Sequence, residues 1–322
     1  MLLDLFEQRK VFKLVCGAGN EDATEVEKLV FLYSKAGCNF FDLCAKPEIV
    51  DAAKKGLERA GIKENRYICV SVGISGDPHV SKAHIDTKRC IKCGASSAIC
   101  PQNAICFKNN EFYVNKSRCI GCGKCFDVCP QNCIERINCA KDLKEILPEI
   151  IEKGIDCIEL HVVGTDENEV DTKWNDLNEL YDGPLSISID RSKLGDDLLF
   201  ARVKRMLKTR KPFSTIIQAD GIAMSGGVND YRSTLQAVAI ADLFQSVDLP
   251  VYLMISGGTN AKTAQLAKMC DIKLNAIAIG SYARKIVREY IDRDDFFENE
   301  EIFNSALKIA KELVDVSLKD MQ

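Results

Sequence analysis

A (βα)8 TIM-like barrel interrupted by one inserted, cysteine-rich module is the fold class the sequence predicts, and three observations predict it. Eight short apolar, β-branched runs recur along the 322 residues, amphipathic segments separate most of them, and one stretch of about residues 84 to 140 breaks the rhythm with a duplicated cysteine pattern. Strands that alternate with helices pair in parallel, and runs apolar on both faces need cover on both sides of the sheet. Eight such units without a ninth favour closure into a barrel over an open doubly wound sheet, and removing the cysteine stretch leaves roughly the 250 residues typical of that barrel.

In order, the runs are Phe12 to Cys16, Phe40 to Cys44, Tyr67 to Val72, Cys157 to Val163, Leu185 to Ile189, Ser214 to Ala219, Val251 to Ile255 and Ala276 to Ile279. Helical patterns lie between them, among them Asp22 to Lys35, Pro47 to Ala60, Asp197 to Thr209, Ser233 to Ser246 and Ala261 to Met269. Pro148 is expected to split the first helix after the insertion, because proline removes a helical hydrogen bond. The chain thus divides into residues 1–83 (strands one to three), an insertion at 84–140, and residues 141–322 (strands four to eight).

Composition narrows the function. Hydrophobic residues make up 46% of the chain, so disorder is excluded and a large core can form. With 43 basic and 47 acidic residues, a net charge of -4 and no long basic run, nucleic acid is not an expected partner. Met1 to Lys10 carries Asp4, Glu7 and Arg9 and reads as neither a secretory nor a twin-arginine signal. No apolar run approaches the roughly 20 residues of a membrane helix. The expectation is a soluble, cytoplasmic protein, in which sixteen cysteines point to metal ligation rather than to disulfides.

The cysteine segment is an internal repeat. Arg89 to Ile105, RCIKCGASSAICPQNAI, aligns without a gap with Arg118 to Ile134, RCIGCGKCFDVCPQNCI, at an offset of 29 residues. The second half is a complete CxxCxxCxxxCP: Cys119, Cys122, Cys125, Cys129 and Pro130. In that pattern three thiolates wrap one iron-sulfur cluster and the fourth, before the proline, reaches the other, as in a bacterial-type ferredoxin. Cluster one therefore takes Cys119, Cys122 and Cys125 with Cys100, a full set for a [4Fe-4S] centre. Cluster two takes Cys90, Cys93 and Cys129, but Ser96 stands where the repeat has Cys125. Three readings follow: a [3Fe-4S] cluster, a [4Fe-4S] cluster whose fourth iron binds Ser96 or water, or recruitment of another thiol such as Cys106. Zinc is the competing metal, and a duplicated CxxCxxCxxxCP is far more specific than the CxxC pairs zinc uses. Most of the remaining cysteines read as small apolar filler; Cys16 and Cys44 lie at strand ends, where core packing is still the simpler role.

Barrel active sites lie at the C-terminal ends of the strands. After the seventh run comes Ser256-Gly257-Gly258-Thr259-Asn260 and after the eighth Gly280-Ser281, the positions at which barrels hold a phosphate. Gly257, Gly258, Thr259, Gly280 and Ser281 are thus candidate contacts for FMN or a phosphorylated ligand. Gly226-Gly227, with Asp220, Ser225 and Asp230, marks a loop able to act as a clamp after the sixth run. His161, Asp190 and Asp220 are the candidate acid-base groups, among other strand-end polar residues: Asn20, Lys46, Ser71, Arg191 and Gln218. An insertion after the third strand leaves the barrel on this same face, so the clusters are expected to overhang the mouth.

With these residues in hand, the chain resembles the light-dependent period protein family (LdpA) nearly end to end. The resemblance is carried by KLVCGAGN at 13–20, GDPHVSKAHID at 76–86 with Asp77, Pro78 and His79, the duplicated cysteines, ADGIAMSGG at 219–227, ISGGTNAKT at 255–263 and AIGSYARKIV at 278–287. It implies a redox-responsive protein with two clusters, one of them of the three-iron type, and a regulatory role in redox input to a circadian clock. The expected function is therefore redox sensing or electron relay coupled to a barrel-mouth ligand, with a redox protein or a small electron carrier as partner. The alternatives are an oxidoreductase that uses a flavin or phosphorylated ligand and is fed by the clusters, or a lyase using an open iron beside Ser96 as Lewis acid.

Overall fold

The computed structural model describes residues 1–62, 64–75, 77, 80–139, 142–222 and 228–321. A short helix, α1 (Leu2–Glu7), precedes β1 (Val11–Val15), α2 (Ala23–Lys35), β2 (Phe40–Cys44), α3 (Pro47–Ala60) and β3 (Tyr67–Gly73). The insertion follows: β4 (Ser81–Ile85), α4 (Ala95–Ile99), β5 (Ile105–Lys108), β6 (Glu111–Val114), α5 (Lys124–Asp127) and β7 (Ile134–Asn138). The chain returns through α6 (Leu143–Glu152) to β8 (Cys157–His161), α7 (Glu167–Leu180), β9 (Leu185–Ile189), α8 (Asp196–Leu207), β10 (Thr215–Asp220), α9 (Leu235–Gln245), β11 (Tyr252–Ser256), α10 (Thr263–Met269) and β12 (Ala276–Ile279). Three helices close it, α11 (Ser281–Ile286), α12 (Arg288–Ile291) and α13 (Glu300–Met321).

The eight predicted runs form one closed parallel barrel in the order β1-β12-β11-β10-β9-β8-β3-β2. Alternation along each strand explains it. One set of residues, such as Phe12 and Leu14, Phe41 and Leu43, Ile158 and Leu160, packs outward against the helices in the main core. The other set fills the barrel in layers. The lower layer is apolar, built from Phe40, Cys69, Cys157, Ile216, Met254 and Ala276, and α1 closes it from below with Leu2 and Phe6. The layer above is polar and holds Lys13, Asp42, Ser71, Glu159, Ser186 and Gln218, all buried.

Local chemistry sets the helix ends. Asp22 accepts a hydrogen bond from Glu25 N–H at 3.1 Å and starts α2. Pro47 occupies the first turn of α3, and Gly61, with φ 68°, ends it. Pro148 does not split α6 as expected: it sits inside the helix, because the one backbone bond it forfeits is outweighed by the burial of Leu143, Leu147 and Ile150.

The insertion sits between β3 and α6. Its two ends are zipped together by the antiparallel pair β4 and β7, with Ser81 opposite Asn138 and Ile85 opposite Ile134, while β5 and β6 form a hairpin. Its two halves repeat in three dimensions. Gly94 (φ 80°) and Gly123 (φ 79°), 29 residues apart, precede α4 and α5, and Asn103 and Asn132 share a left-handed backbone.

Candidate functional site

The floor of the barrel mouth is a buried charge network. Lys13 Nζ donates to Glu159 Oε2 at 2.7 Å and to Gln218 Oε1 at 3.1 Å, and lies 3.7 Å from Asp42 Oδ2. Ser71 Oγ donates to Asp42 at 2.5 Å, Ser186 Oγ to Glu159 Oε2 at 2.9 Å, and Gln218 Nε2 to Glu159 Oε1 at 2.8 Å. Burial works against the Lys13 charge, but Asp42 and Glu159 outweigh it and hold its pKa well above the ordinary lysine value. Glu159 is held far below the carboxylate range by Lys13 and His161 despite its burial, whereas burial and the nearby Glu159 push Asp42 upward.

His161 ends β8 in this network, with Nε2 3.1 Å from Glu159 and Nδ1 3.3 Å from Asp77. The two carboxylates, acting against burial, raise it well above the ordinary histidine value, so it stands as a buried imidazolium. In that form His161 balances the charge of Asp77 and Glu159 and carries a proton it could give as a general acid but cannot accept one as a base.

Above this floor is a cavity of about 60 Å³, lined by Gly17, Asp42, Glu159, His161, Asp220 and Arg284 together with Gly257, Gly258, Thr259, Gly280 and Ser281. All five expected ligand-contact residues therefore meet at the mouth. Gly257 has φ 70°, and a Cβ there would overlap the Asp220 carboxylate. Thr259 Oγ1 donates to Ala278 O at 2.6 Å, and Ser188 Oγ donates to Asp220 Oδ2 at 3.1 Å. Asp190 does not join them: it accepts from Ser192 N–H at 2.9 Å in an outer turn, and Arg191 pairs with Asp196 rather than with Asp190. Lys46 pairs with Glu21 at 2.6 Å. Ser225, Gly226, Gly227, Pro78 and His79 lie outside the described residues.

A second cavity, about 270 Å³, adjoins at Ala18 and Gly19 and is lined by Lys46, Lys82, Lys116, Glu21, Cys44 and Cys139 among others. Cys16 and Cys44 are buried, and burial raises both thiols, Cys44 to about 12, so neither is a ready nucleophile.

The inserted module docks over this mouth. Lys82 donates to Cys119 O at 2.8 Å and to Gly19 O, and pairs with Glu21 at 3.2 Å. Glu21 N–H donates to Ser117 O at 2.7 Å. Arg118 reaches Asp292 at 2.6 Å and Glu25 at 3.3 Å, and Arg288 reaches Gln102 at 2.9 Å. Ile120 lines both the mouth cavity and the first of two cysteine hollows.

That inner hollow is lined by Cys100, Cys119, Cys122 and Cys125, with Ala83, Ile105 and Val114 as apolar walls. Ala83 N–H donates to Cys119 Sγ at 3.4 Å and Ala104 N–H to Cys100 Sγ at 3.3 Å. Burial, and then the neighbouring thiols of Cys122, Cys119 and Cys100, push the Cys125 thiol up to about 12. Four thiols thus line one apolar-walled hollow, the donor set of a four-iron centre. The residues fit an iron-sulfur cluster.

The outer hollow is lined by Cys90, Cys93, Ser96 and Cys129, and by Cys133, which the repeat pattern left unassigned. Cys106 is elsewhere, in the β5–β6 hairpin beside Tyr113, so the thiol given as an example under the third reading does not line the hollow.

Residues 149–316 match the Light dependent period A C-terminal domain, and residues 83–136 match a 4Fe-4S dicluster domain. The chain is also 30% identical over 295 residues to Light dependent period A of Synechococcus elongatus, covering 87% of this chain and 82% of that protein. It belongs to the Light dependent period A family. Within this family the chain is an iron-sulfur protein, as the dicluster match and the cysteine hollows together require. Among solved structures, tryptophan synthase from M. tuberculosis is similar at 9% identity and a TM-score of 0.48, covering 100% of this chain and 99% of that one. The YdjI aldolase from Escherichia coli K12 is similar at 6% identity and a TM-score of 0.46, covering 99% and 91%. Both likenesses are too slight to bear on activity.

Sequence reasoning passed over Lys13, Asp42, Glu159 and Cys133. For the first three the signal was present: a charged residue inside each of three otherwise apolar barrel strands, on the inward parity. For Cys133 it lay in the repeat itself, opposite Ala104.

Proposed function

We propose that the protein senses or relays cellular redox state in the cytoplasm, through two iron-sulfur clusters coupled to a ligand site at the barrel mouth. Cys100, Cys119, Cys122 and Cys125 hold an inner [4Fe-4S] cluster; Cys90, Cys93 and Cys129, beside Ser96, hold an outer cluster of four or three irons. When bound, the clusters supply reversible one-electron chemistry. The observation that carries the reading is Ile120, one buried residue that lines both the inner hollow and the mouth cavity. Through it, a change of charge on one side alters the field on the other across a dry, low-dielectric contact.

The outer hollow faces solvent. Cys93 is exposed and Ile91 projects into water, which leaves an open side for a redox protein or small electron carrier. The relative's name, Light dependent period A, makes input to a circadian clock the physiological setting of this proposal.

The second reading, an oxidoreductase with FMN or a phosphorylated ligand, draws on Gly257, Gly258, Thr259, Gly280, Ser281 and Arg284 around the mouth. One feature weighs against it. The mouth holds about 60 Å³, against the roughly 300–1,000 Å³ of ordinary cofactor pockets. Anaerobic purification with iron, sulfide and flavin analysis separates the readings. Iron and sulfide in near-equal amounts without flavin support the sensor; stoichiometric FMN would support the oxidoreductase.

A further inference from the structure

We infer that Cys133 supplies the fourth thiolate of the outer cluster, so that both clusters of this chain are complete four-iron centres. The inference rests on the two-cluster reading and deepens it. Aligned at an offset of 29, the two halves of the repeat differ at two cysteine positions: Ser96 stands opposite Cys125, and Cys133 stands opposite Ala104. The outer motif has lost one thiol and gained another. Spread along the sequence, the loss and the gain look unrelated, and the fold brings both to the same hollow, where Cys133 and Ser96 line one wall system with Cys90, Cys93 and Cys129.

The placement of Cys133 follows from the repeat's backbone. Its N–H donates to Cys129 Sγ at 3.4 Å, just as Ala104 N–H donates to Cys100 Sγ at 3.3 Å. Ala104 and Cys133 therefore hold equivalent positions beside the proline-preceding cysteine of each half. At the inner hollow that position needs only a methyl group, because four thiols are already present. At the outer hollow the same direction carries a sulfur. Cys133 is buried, 4% exposed, with Sγ 3.4 Å from Cys129 Sγ in the hollow that Cys90 also lines, so it stands among the ligand thiols. A cysteine serving as filler would gain nothing over the alanine that fills the twin position. Ligation forms one S–Fe bond, releases the thiol proton to solvent and changes no oxidation state.

The test is anaerobic isolation of the full chain as wild type, Cys133→Ala and the double variant Cys133→Ala/Ser96→Cys, with iron and sulfide counts and electron paramagnetic resonance. Alanine is the natural residue of the twin position, so it can be accommodated. The expected wild type carries about eight irons and eight sulfides with no three-iron signal. Cys133→Ala should drop to about seven irons and, after mild anaerobic oxidation of all three proteins with ferricyanide, show the near-isotropic signal of an oxidised three-iron centre, and the double variant should restore the eighth iron. Wild type with a stoichiometric three-iron signal, or Cys133→Ala indistinguishable from it, overturns the inference while leaving two clusters in place. Wild type with about four irons or none overturns the two-cluster reading beneath it.

Discussion

Replacing Lys13 with methionine perturbs the barrel floor where its energetics are most concentrated. Lys13 Nζ lies 2.7 Å from Glu159 and 3.7 Å from Asp42, with all three side chains essentially excluded from water. At an effective dielectric near 20, those two pairs attract by about 6 and 4.5 kcal/mol, a gross sum of about 10 kcal/mol. Much of that is cancelled by the desolvation of the ammonium, and the loss is further capped because a stranded carboxylate can take up a proton. What survives is the usual penalty for removing one partner from a buried ion pair, about 3–5 kcal/mol. For a chain of this length, whose unfolding entropy is about 0.7 kcal/mol/K, that corresponds to a fall in Tm of roughly 4–7 °C. Anaerobic thermal unfolding followed by circular dichroism measures it. The pH dependence gives a second reading: with Lys13 gone, Asp42 and Glu159 acquire raised folded-state values, so the variant should recover part of the deficit as the pH falls, as protonation relieves the buried charges. A deficit under about 1 kcal/mol, or one that does not change with pH, would refute the assignment of Lys13 as the keystone of this network.

Three further outcomes follow from the same geometry. Because Asp77 and Glu159 raise His161 above its ordinary value, its stabilisation is fully present below pH about 6.5 and disappears as pH rises through the folded-state value; His161→Gln should therefore cost most near pH 6 and least in alkaline denaturant titrations. Gly257→Ala puts a methyl group against the Asp220 carboxylate at φ 70°, which should cost on the order of 3 kcal/mol in a denaturant melt, whereas Gly61→Ala, with no neighbour within 4 Å, should lose only the backbone component of about 1 kcal/mol. Lys82→Met removes the buried donor to Cys119 O and Gly19 O, and hydrogen exchange should quicken at Glu21 and through residues 117–122 while the far strands β9 and β10 stay protected.

The barrel was legible because its signals are local. Each strand's outward residues form an apolar set, and Phe40 to Cys44, Leu185 to Ile189 and Ala276 to Ile279 match the structure residue for residue. The cysteine pattern gave the two hollows for the same reason: ligand spacing is written in the sequence. What lay beyond reach depends on contacts between distant segments. Lys13, Asp42 and Glu159 are harmless only when the barrel closes and brings them together, so one by one they read as oddities in apolar strands. His161 was found at its strand end, but its charge comes from Asp77 and Glu159, and Asp77 lies 84 positions away. Pro148 misled because a buried face can carry a helix through one missing bond. Ser96 and Cys133 both depart from the repeat in the sequence, but only the fold brings the two positions to one hollow.

The central claim, that one cluster is electrically coupled to the barrel mouth, is tested most directly by anaerobic redox titration of both clusters in wild type and Ile120→Ala. Shortening Ile120 admits water to the wall between the inner hollow and the mouth. Reduction adds negative charge to a thiolate-bound cluster, and better solvation favours the more charged state. The inner cluster's potential should rise by roughly tens of millivolts while the outer one holds still. Two unchanged potentials, or two that move together, would contradict it.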